Sequence, residues 1–197
     1  MDDNEIELET VDGLGAGAVG DPGEREFFLQ ARTESAQLTV LVEKEQVALL
    51  ASEAVAFLDR IAEDYPEEAA GVPEPVARQA GLREPTVPLF RARLIGLGFD
   101  PERELVLIEL RERSSDDEEE GDALTSADET VDELSRAVAD AAENEDEDGY
   151  VARIYATRPQ VRAMAAKGAE AVAAGRSLCP LCDMPMDPSG HRCPRWN

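Results

Sequence analysis

Apolar and polar residues alternate with a period of two in two neighbouring segments, 24–32 and 36–42. The apolar positions of these segments are Phe27, Leu29, Ala31, Leu38, Val40 and Val42. This period is typical of half-buried β-strands. The two segments therefore predict a β-hairpin that turns at residues 33–35.

A helical pattern follows the hairpin directly. Apolar residues recur at spacings of three and four from Val47 to Ile61, and Pro66 marks the end of the pattern. Five prolines then fall between residues 66 and 88, which excludes a long regular element. We expect one helix and then an irregular connection across the fold.

Two further strand patterns and a second helix follow. Alternation from Phe90 to Leu94 and an apolar run from Leu105 to Leu110 predict a hairpin. Residues 150–156 predict another strand, and Thr157 is placed to cap a helix that ends at Gly175.

The two helices open on similar sequences, which suggests an internal duplication. Gln46-Val47 and Gln160-Val161 each follow a strand directly, at an offset of 114 residues. A duplicated strand–helix unit explains this match. Chance similarity between two amphipathic helices is the alternative.

These elements predict an α+β fold, with a roughly five-stranded, mostly antiparallel sheet, two helices on one face and a small C-terminal zinc knuckle. We expect residues 1–23 to form a disordered tail that is acidic and rich in glycine. Residues 24–176 form the α+β domain, with a disordered acidic insertion at 114–149. Residues 177–197 form the knuckle.

Charge is distributed unevenly along this chain of 197 residues. The net charge is −25, and the insertion contains 16 acidic residues and one basic residue. Residues 150–197 instead contain seven basic and three acidic residues. An acidic molecule is repelled by nucleic acid and by anionic lipid, so neither is the expected partner of the whole protein.

The first residues lack the basic and apolar regions of a signal peptide, and the chain has no run of about 18 apolar residues. We therefore expect a soluble, cytoplasmic protein with no membrane partner. Three cysteines clustered beside the single histidine fit that compartment, because this arrangement indicates a metal site and not a disulfide framework.

The metal site is the most specific chemical signal in the sequence. Its predicted ligands are Cys179, Cys182, His191 and Cys193. Three thiolates and an imidazole suit a tetrahedral Zn(II) ion, and four protein ligands leave no open position for a catalytic water. We expect a structural zinc, and the alternative is a chance grouping of the four residues.

Basic side chains and one tryptophan accompany the second helix and the knuckle. These candidate anion-binding or partner-binding residues are Arg158, Arg162, Arg176, Arg192, Arg195 and Trp196. They are suited to a phosphate, a nucleotide or an acidic protein segment. The alternative is that they neutralise the acidic insertion of the protein itself.

The C-terminal region resembles an uncharacterised actinobacterial family, domain of unknown function 3090. The segments that carry the resemblance are Gln160–Ala163, Ala173–Arg176, Cys179–Cys182, Met186–Pro188, Gly190–His191 and Cys193–Arg195. The strand leading into Gln46 and the hairpin at Leu105 are similar too. The resemblance implies a zinc-ribbon-like tail and implies no reaction.

Our leading functional hypothesis is a non-enzymatic binding or regulatory module for a protein or a small anionic ligand. The motivation is that zinc ligation uses every cysteine and the only histidine, so neither remains for catalysis. The competing hypothesis is an enzyme or enzyme subunit that holds a phosphorylated small molecule or nucleotide through arginines. A third, nucleic-acid binding by the C-terminal region, predicts affinity that falls steeply with salt.

Overall fold

A computed structural model describes residues 4–67, 71–112, 149–175, 179–182, 184, 186 and 190–196. Within these ranges the chain forms seven strands and three helices. The strands are β1 (Glu5–Leu8), β2 (Gly13–Val19), β3 (Glu26–Arg32), β4 (Gln37–Val42), β5 (Phe90–Asp100), β6 (Leu105–Glu112) and β7 (Val151–Ala156). The helices are α1 (Lys44–Asp64), α2 (Glu74–Gln79) and α3 (Arg158–Ala173).

The seven strands form one mixed sheet in the order β1-β7-β6-β5-β4-β3-β2. The pairs β1–β7 and β4–β5 are parallel, and the other four pairs are antiparallel. The predicted α+β class is confirmed. The predicted sheet of five strands is too small, because the first two strands lie in the segment that we expected to be a tail.

The prediction of disorder at residues 1–23 is wrong for 4–23, where β1 and β2 lie. In β2 the alternation of apolar and polar residues is not visible, because glycines occupy the face of the strand that residues 80–82 cover. A Cβ on Gly15 would lie 2.8 Å from the Ala80 carbonyl oxygen, and one on Gly17 would lie 2.9 Å from Leu82 Cγ. Glycine therefore lets a second segment lie directly against the strand. The predicted acidic insertion falls almost wholly outside the described residues.

The two edges of the sheet meet where β1 leads into β2. The Val11 N–H donates to the Tyr155 carbonyl of β7 at 3.3 Å, and the Asp12 N–H donates to the Arg32 carbonyl of β3 at 2.8 Å. One short stretch of backbone thus bonds to the strands beside both edges. The sheet must curl for both bonds to form. The junction is also buried, since Val11 is 3% exposed.

The two long helices pack on each other and on the inner face of this curled sheet. Their buried residues belong to one core with alternating residues of the strands. Gly168 of α3 marks the closest approach, because a Cβ there would lie 3.0 Å from Val47 Cγ1 of α1 and 3.4 Å from Ala16 Cβ of β2. Among the described residues, no helix combines the length and the apolar character needed to cross a membrane.

A buried glutamine fixes the start of α3 to the junction of the sheet edges. Gln160 Oε1 accepts from the Thr157 N–H at 2.8 Å, and Gln160 Nε2 donates to the Val11 carbonyl at 2.7 Å. Thr157 completes a capping box with this glutamine. A single side chain therefore caps a helix and holds the N-terminal strand in place.

Gln46 makes the same two kinds of contact at the start of α1. Its Oε1 accepts from the Glu43 N–H at 2.9 Å, and its Nε2 donates to the Arg93 carbonyl of β5 at 2.9 Å. β5 is the strand that pairs in parallel with β4, as β1 pairs with β7 before α3. Equivalent roles at positions 114 residues apart support the hypothesis of a duplicated strand–helix unit.

We expect the Gln160→Ala variant to lower the free energy of unfolding by about 1–3 kcal/mol, because the buried Val11 carbonyl loses its partner and the capping bond to the Thr157 N–H is lost. Gln46→Ala is the matched control. Its site is half-buried, so water can replace the lost hydrogen bonds and the loss should be smaller. Urea unfolding of both variants measures the difference, and equal losses would contradict the assigned role of Gln160.

Candidate metal centre

The four predicted ligands lie on two short turns after the end of α3. Cys179 and Cys182 flank the first turn, where the Cys179 N–H donates to the Met184 carbonyl at 2.8 Å. His191 and Cys193 follow Gly190, which has a φ of +116°. Side chains other than glycine rarely adopt this angle, so Gly190 sets the direction in which the second pair enters the cluster.

The four donor atoms converge. All of them lie within 4.8 Å of one another. Cys179 Sγ lies 3.8 Å from Cys193 Sγ, and Cys182 Sγ lies 3.1 Å from His191 Nε2. Bonds from zinc are about 2.3 Å to sulfur and about 2.0–2.1 Å to nitrogen. In a tetrahedral site these bond lengths separate two sulfur atoms by about 3.8 Å, and a sulfur from a nitrogen by about 3.6 Å. The sulfur pair matches this geometry, and the sulfur–nitrogen pair needs a shift of about half an ångström.

The three thiols have different environments. Backbone hydrogen bonds, led by that from Leu181, lower the pKa of Cys179, whereas burial raises the pKa of Cys182. All three cysteines are free of disulfide bonds. A cation bound at their centre stabilises the thiolate form of each, so metal binding at this cluster releases protons. The cluster can therefore hold a metal ion.

The candidate arginines divide into two groups. Arg158 is 4% exposed, donates to the Tyr65 carbonyl, and stacks with its guanidinium carbon 4.9 Å from the centre of the Phe99 ring. Arg162 forms an ion pair with Glu67 at 2.5 Å. These two arginines thus make contacts within the α+β domain.

The second group belongs to the knuckle itself. Arg195 Nη1 donates to the Leu181 carbonyl at 2.9 Å and links the two turns of the metal cluster. Arg192 is exposed beside it, and Trp196 is 77% exposed. Arg176 lies outside the described residues.

Two apolar residues of the knuckle were missed by the sequence analysis. Leu181 is 45% exposed and Met184 is 52% exposed, although both lie between or beside the metal ligands. The sequence could have indicated their exposure, because both residues lie in a short loop between cysteines. A loop of that length cannot bury large apolar side chains in a core of its own.

Comparison with known proteins places the whole fold in a family. A family model described as "Protein of unknown function (DUF3090)" matches residues 6–193. The chain belongs to this family. No curated protein and no solved structure matches it significantly. The DUF3090 match runs from β1 to the last cysteine of the cluster, so it includes the N-terminal strands, the α+β domain and the candidate metal centre together.

We expect His191→Ala to weaken metal binding by at least about tenfold, because it leaves three donors where four converge. His191→Cys is the control, since a fourth thiolate preserves the donor count and should retain the metal. Competition with a chromogenic chelator measures both affinities. If His191→Ala binds the metal as tightly as the unaltered protein, the imidazole does not act as a ligand.

Proposed function

We propose that this member of the DUF3090 family is a zinc-binding protein in which the ion has a structural role, and that the zinc-ordered knuckle is a docking site for a protein partner. The convergence of four donor atoms from one short segment carries the proposal. Four protein ligands fill the tetrahedral shell of Zn(II), so no position is left for a water nucleophile or a substrate.

The donor set favours zinc over other metals. Three thiolates and one imidazole are soft or borderline ligands, which disfavours magnesium and calcium, and tetrahedral geometry disfavours copper(II) and nickel(II). The chain has three cysteines and one histidine in total, so the zinc site uses the whole supply. This supports a non-enzymatic role, because no cysteine or histidine is left to act as a nucleophile, as a general base or in a second metal site.

The zinc ion would order a surface that we call the knuckle surface: Leu181, Met184, Arg192, Arg195 and Trp196. Its three apolar side chains are 45–77% exposed. Exposed large apolar residues together with arginine and tryptophan are typical of protein–protein contacts, where such residues supply most of the binding energy. The link from Arg195 to the Leu181 carbonyl joins the two turns in one rigid surface.

Charge favours a protein partner with acidic and apolar side chains. The knuckle surface carries two arginines, and residues 150–197 have an excess of basic residues. Nucleic acid would also meet these arginines, but a molecule with a net charge of −25 repels a polyanion over its whole length. A short acidic segment of a protein meets only the basic surface.

The competing enzymatic hypothesis used the arginines near α3 as an anion clamp. Arg158 is almost fully buried and donates to a backbone carbonyl, and Arg162 is paired with a glutamate. Arg158 already has its partners within the domain, which disfavours its use in substrate binding. Arg162 is paired through Nη2, and its buried Nη1 has no partner among the described residues.

The docking proposal is tested with a photo-crosslinking amino acid incorporated at Leu181 or at Leu49 in the full chain. Leu49 lies on α1 and is 41% exposed, so it matches Leu181 in residue type and exposure. We expect a protein crosslinked at position 181 but not at 49. With that partner purified, Leu181→Ser and zinc-free His191→Ala should each weaken binding by at least about tenfold, and Leu49→Ser should not.

Three outcomes would contradict the proposal. Equal crosslinking at both positions would show non-specific contact, and crosslinks to nucleic acid alone would identify a different class of partner. Binding that survives loss of zinc would show that the ion does not order the docking surface.

A further inference from the structure

A second feature lies on β3, on the sheet face away from the helical core. Phe27, Leu29 and Ala31 of this strand belong to the core, so the alternate residues Gln30 and Arg32 point to the other face. Residues 79–85 cover that face. An open cleft of about 560 Å³ remains between this covering segment and the turn that joins β3 to β4.

The Arg32 guanidinium is held in a fixed orientation at the base of the cleft. The residue is 6% exposed. Its Nη1 donates to Gln30 Oε1 at 2.8 Å and to the Gly81 carbonyl at 3.1 Å, and its Nη2 donates to the Gln79 carbonyl. Gln30 is fully buried and also accepts from the Arg83 N–H at 2.8 Å. The position of the guanidinium is therefore set by the fold.

Within the described residues, this buried charge forms no ion pair with a carboxylate. All the acceptors of Arg32 are neutral oxygens, and within the described residues no carboxylate lies within 4.0 Å of either Arg32 or Arg83. Burial lowers the pKa of Arg32, and the nearby charge of Arg83 lowers it further. Both arginines line the cleft, and neither forms an ion pair within the described part of the chain.

One edge of the Arg32 guanidinium is left open. Its Nε has no acceptor within the described part of the chain, and it is not among the buried polar atoms that lack a partner, so it reaches the cleft. Gly13 lies beside this edge. A Cβ on Gly13 would stand 2.6 Å from Nη2 and 3.1 Å from Nε, so glycine at this position lets the guanidinium pack directly across β2. The Nε–H group remains available to donate to an oxygen of a carboxylate or a phosphate.

We propose that this cleft binds the oxyanion group of a small molecule, a phosphate or a carboxylate, between Arg32 and Arg83. Arg32 supplies a pre-oriented donor at the base, and Arg83 supplies an exposed charge at the mouth. The volume of the cleft is within the range of small-molecule sites. The site is separate from the knuckle and does not depend on zinc.

Acidic residues around the cleft restrict the rest of the ligand. Asp12, Glu34 and Glu84 line the cleft and are exposed. They repel any further negative charge, so a polyanion such as a nucleoside triphosphate or a nucleic-acid backbone is disfavoured. The ligand carries one oxyanion group, and its remaining part is neutral or cationic.

The experiment titrates inorganic phosphate, and separately acetate, into the ¹⁵N-labelled, zinc-loaded full chain at constant ionic strength. We expect saturable shifts of the amide signals of residues 33–36 and 81–84, with a dissociation constant on the order of millimolar, because a single oxyanion group offers few contacts. The better-bound anion identifies the oxyanion chemistry.

Three variants fix the assignment. Arg83→Gln should weaken binding at least about fivefold, whereas Glu34→Gln should tighten it, because the first removes an attractive charge and the second a repulsive one. Arg78→Gln is the matched control, since Arg78 is exposed on α2 and does not line the cleft. It should leave the affinity unchanged.

The proposal is overturned if neither anion shifts these amides in a saturable way. It is also overturned if Arg78→Gln weakens binding as much as Arg83→Gln does, which would show a general response to net charge. Zinc-free His191→Ala should bind phosphate as tightly as the zinc-loaded protein. A negative result for the cleft is therefore distinguishable from a negative result for the knuckle.

Discussion

In our proposal, metal coordination by the four converging side chains is the interaction on which the C-terminal segment depends. Among the described residues of 179–196, Cys179 alone is buried, so the segment has no apolar core that could hold its two turns together. Structural zinc in such small units contributes roughly 10–16 kcal/mol of apparent binding free energy, which is folding energy for the residues around it. On this proposal the metal ion also orders the knuckle surface, because the side chains between the ligands find no core to pack into and remain exposed to solvent.

The α+β domain is held by a different constraint, the junction at Val11 and Asp12. There one stretch of backbone bonds to strands at both edges of the sheet, and Gln160 ties the same stretch to the start of α3. The curled sheet buries a single core with the two long helices on one face. Its other face is covered in part by residues 79–85, and the polar side chains of β3 that hold this segment also form the base of the proposed anion-binding cleft.

Hydrophobic periodicity predicted the strands and helices whose local sequence shows a regular pattern. It failed where a contact with a distant segment determines which residues a strand contains. The strands β3 to β7 and the helices α1 and α3 lie close to their expected positions. β2 was missed because its glycines face residues 80–82, a contact that the local pattern cannot reveal. β1 was missed because it is only four residues long and its partner, β7, is distant in the sequence. The convergence of Cys179, Cys182, His191 and Cys193 was predictable, because their residue types and spacing are local. The burial of Arg32 was not predictable, because a polar residue in an alternating strand usually faces solvent. Only the folded structure shows that residues 79–83 cover it.

The most direct test of the account is X-ray absorption at the zinc edge of the purified full chain, together with its metal content. We expect one zinc ion per chain, with three sulfur neighbours at about 2.3 Å and one nitrogen neighbour at about 2.0–2.1 Å. This first shell would identify a closed tetrahedral site formed by Cys179, Cys182, His191 and Cys193. A shell dominated by oxygen, or a protein that contains no zinc, would contradict the structural role of the ion and the docking function that depends on it.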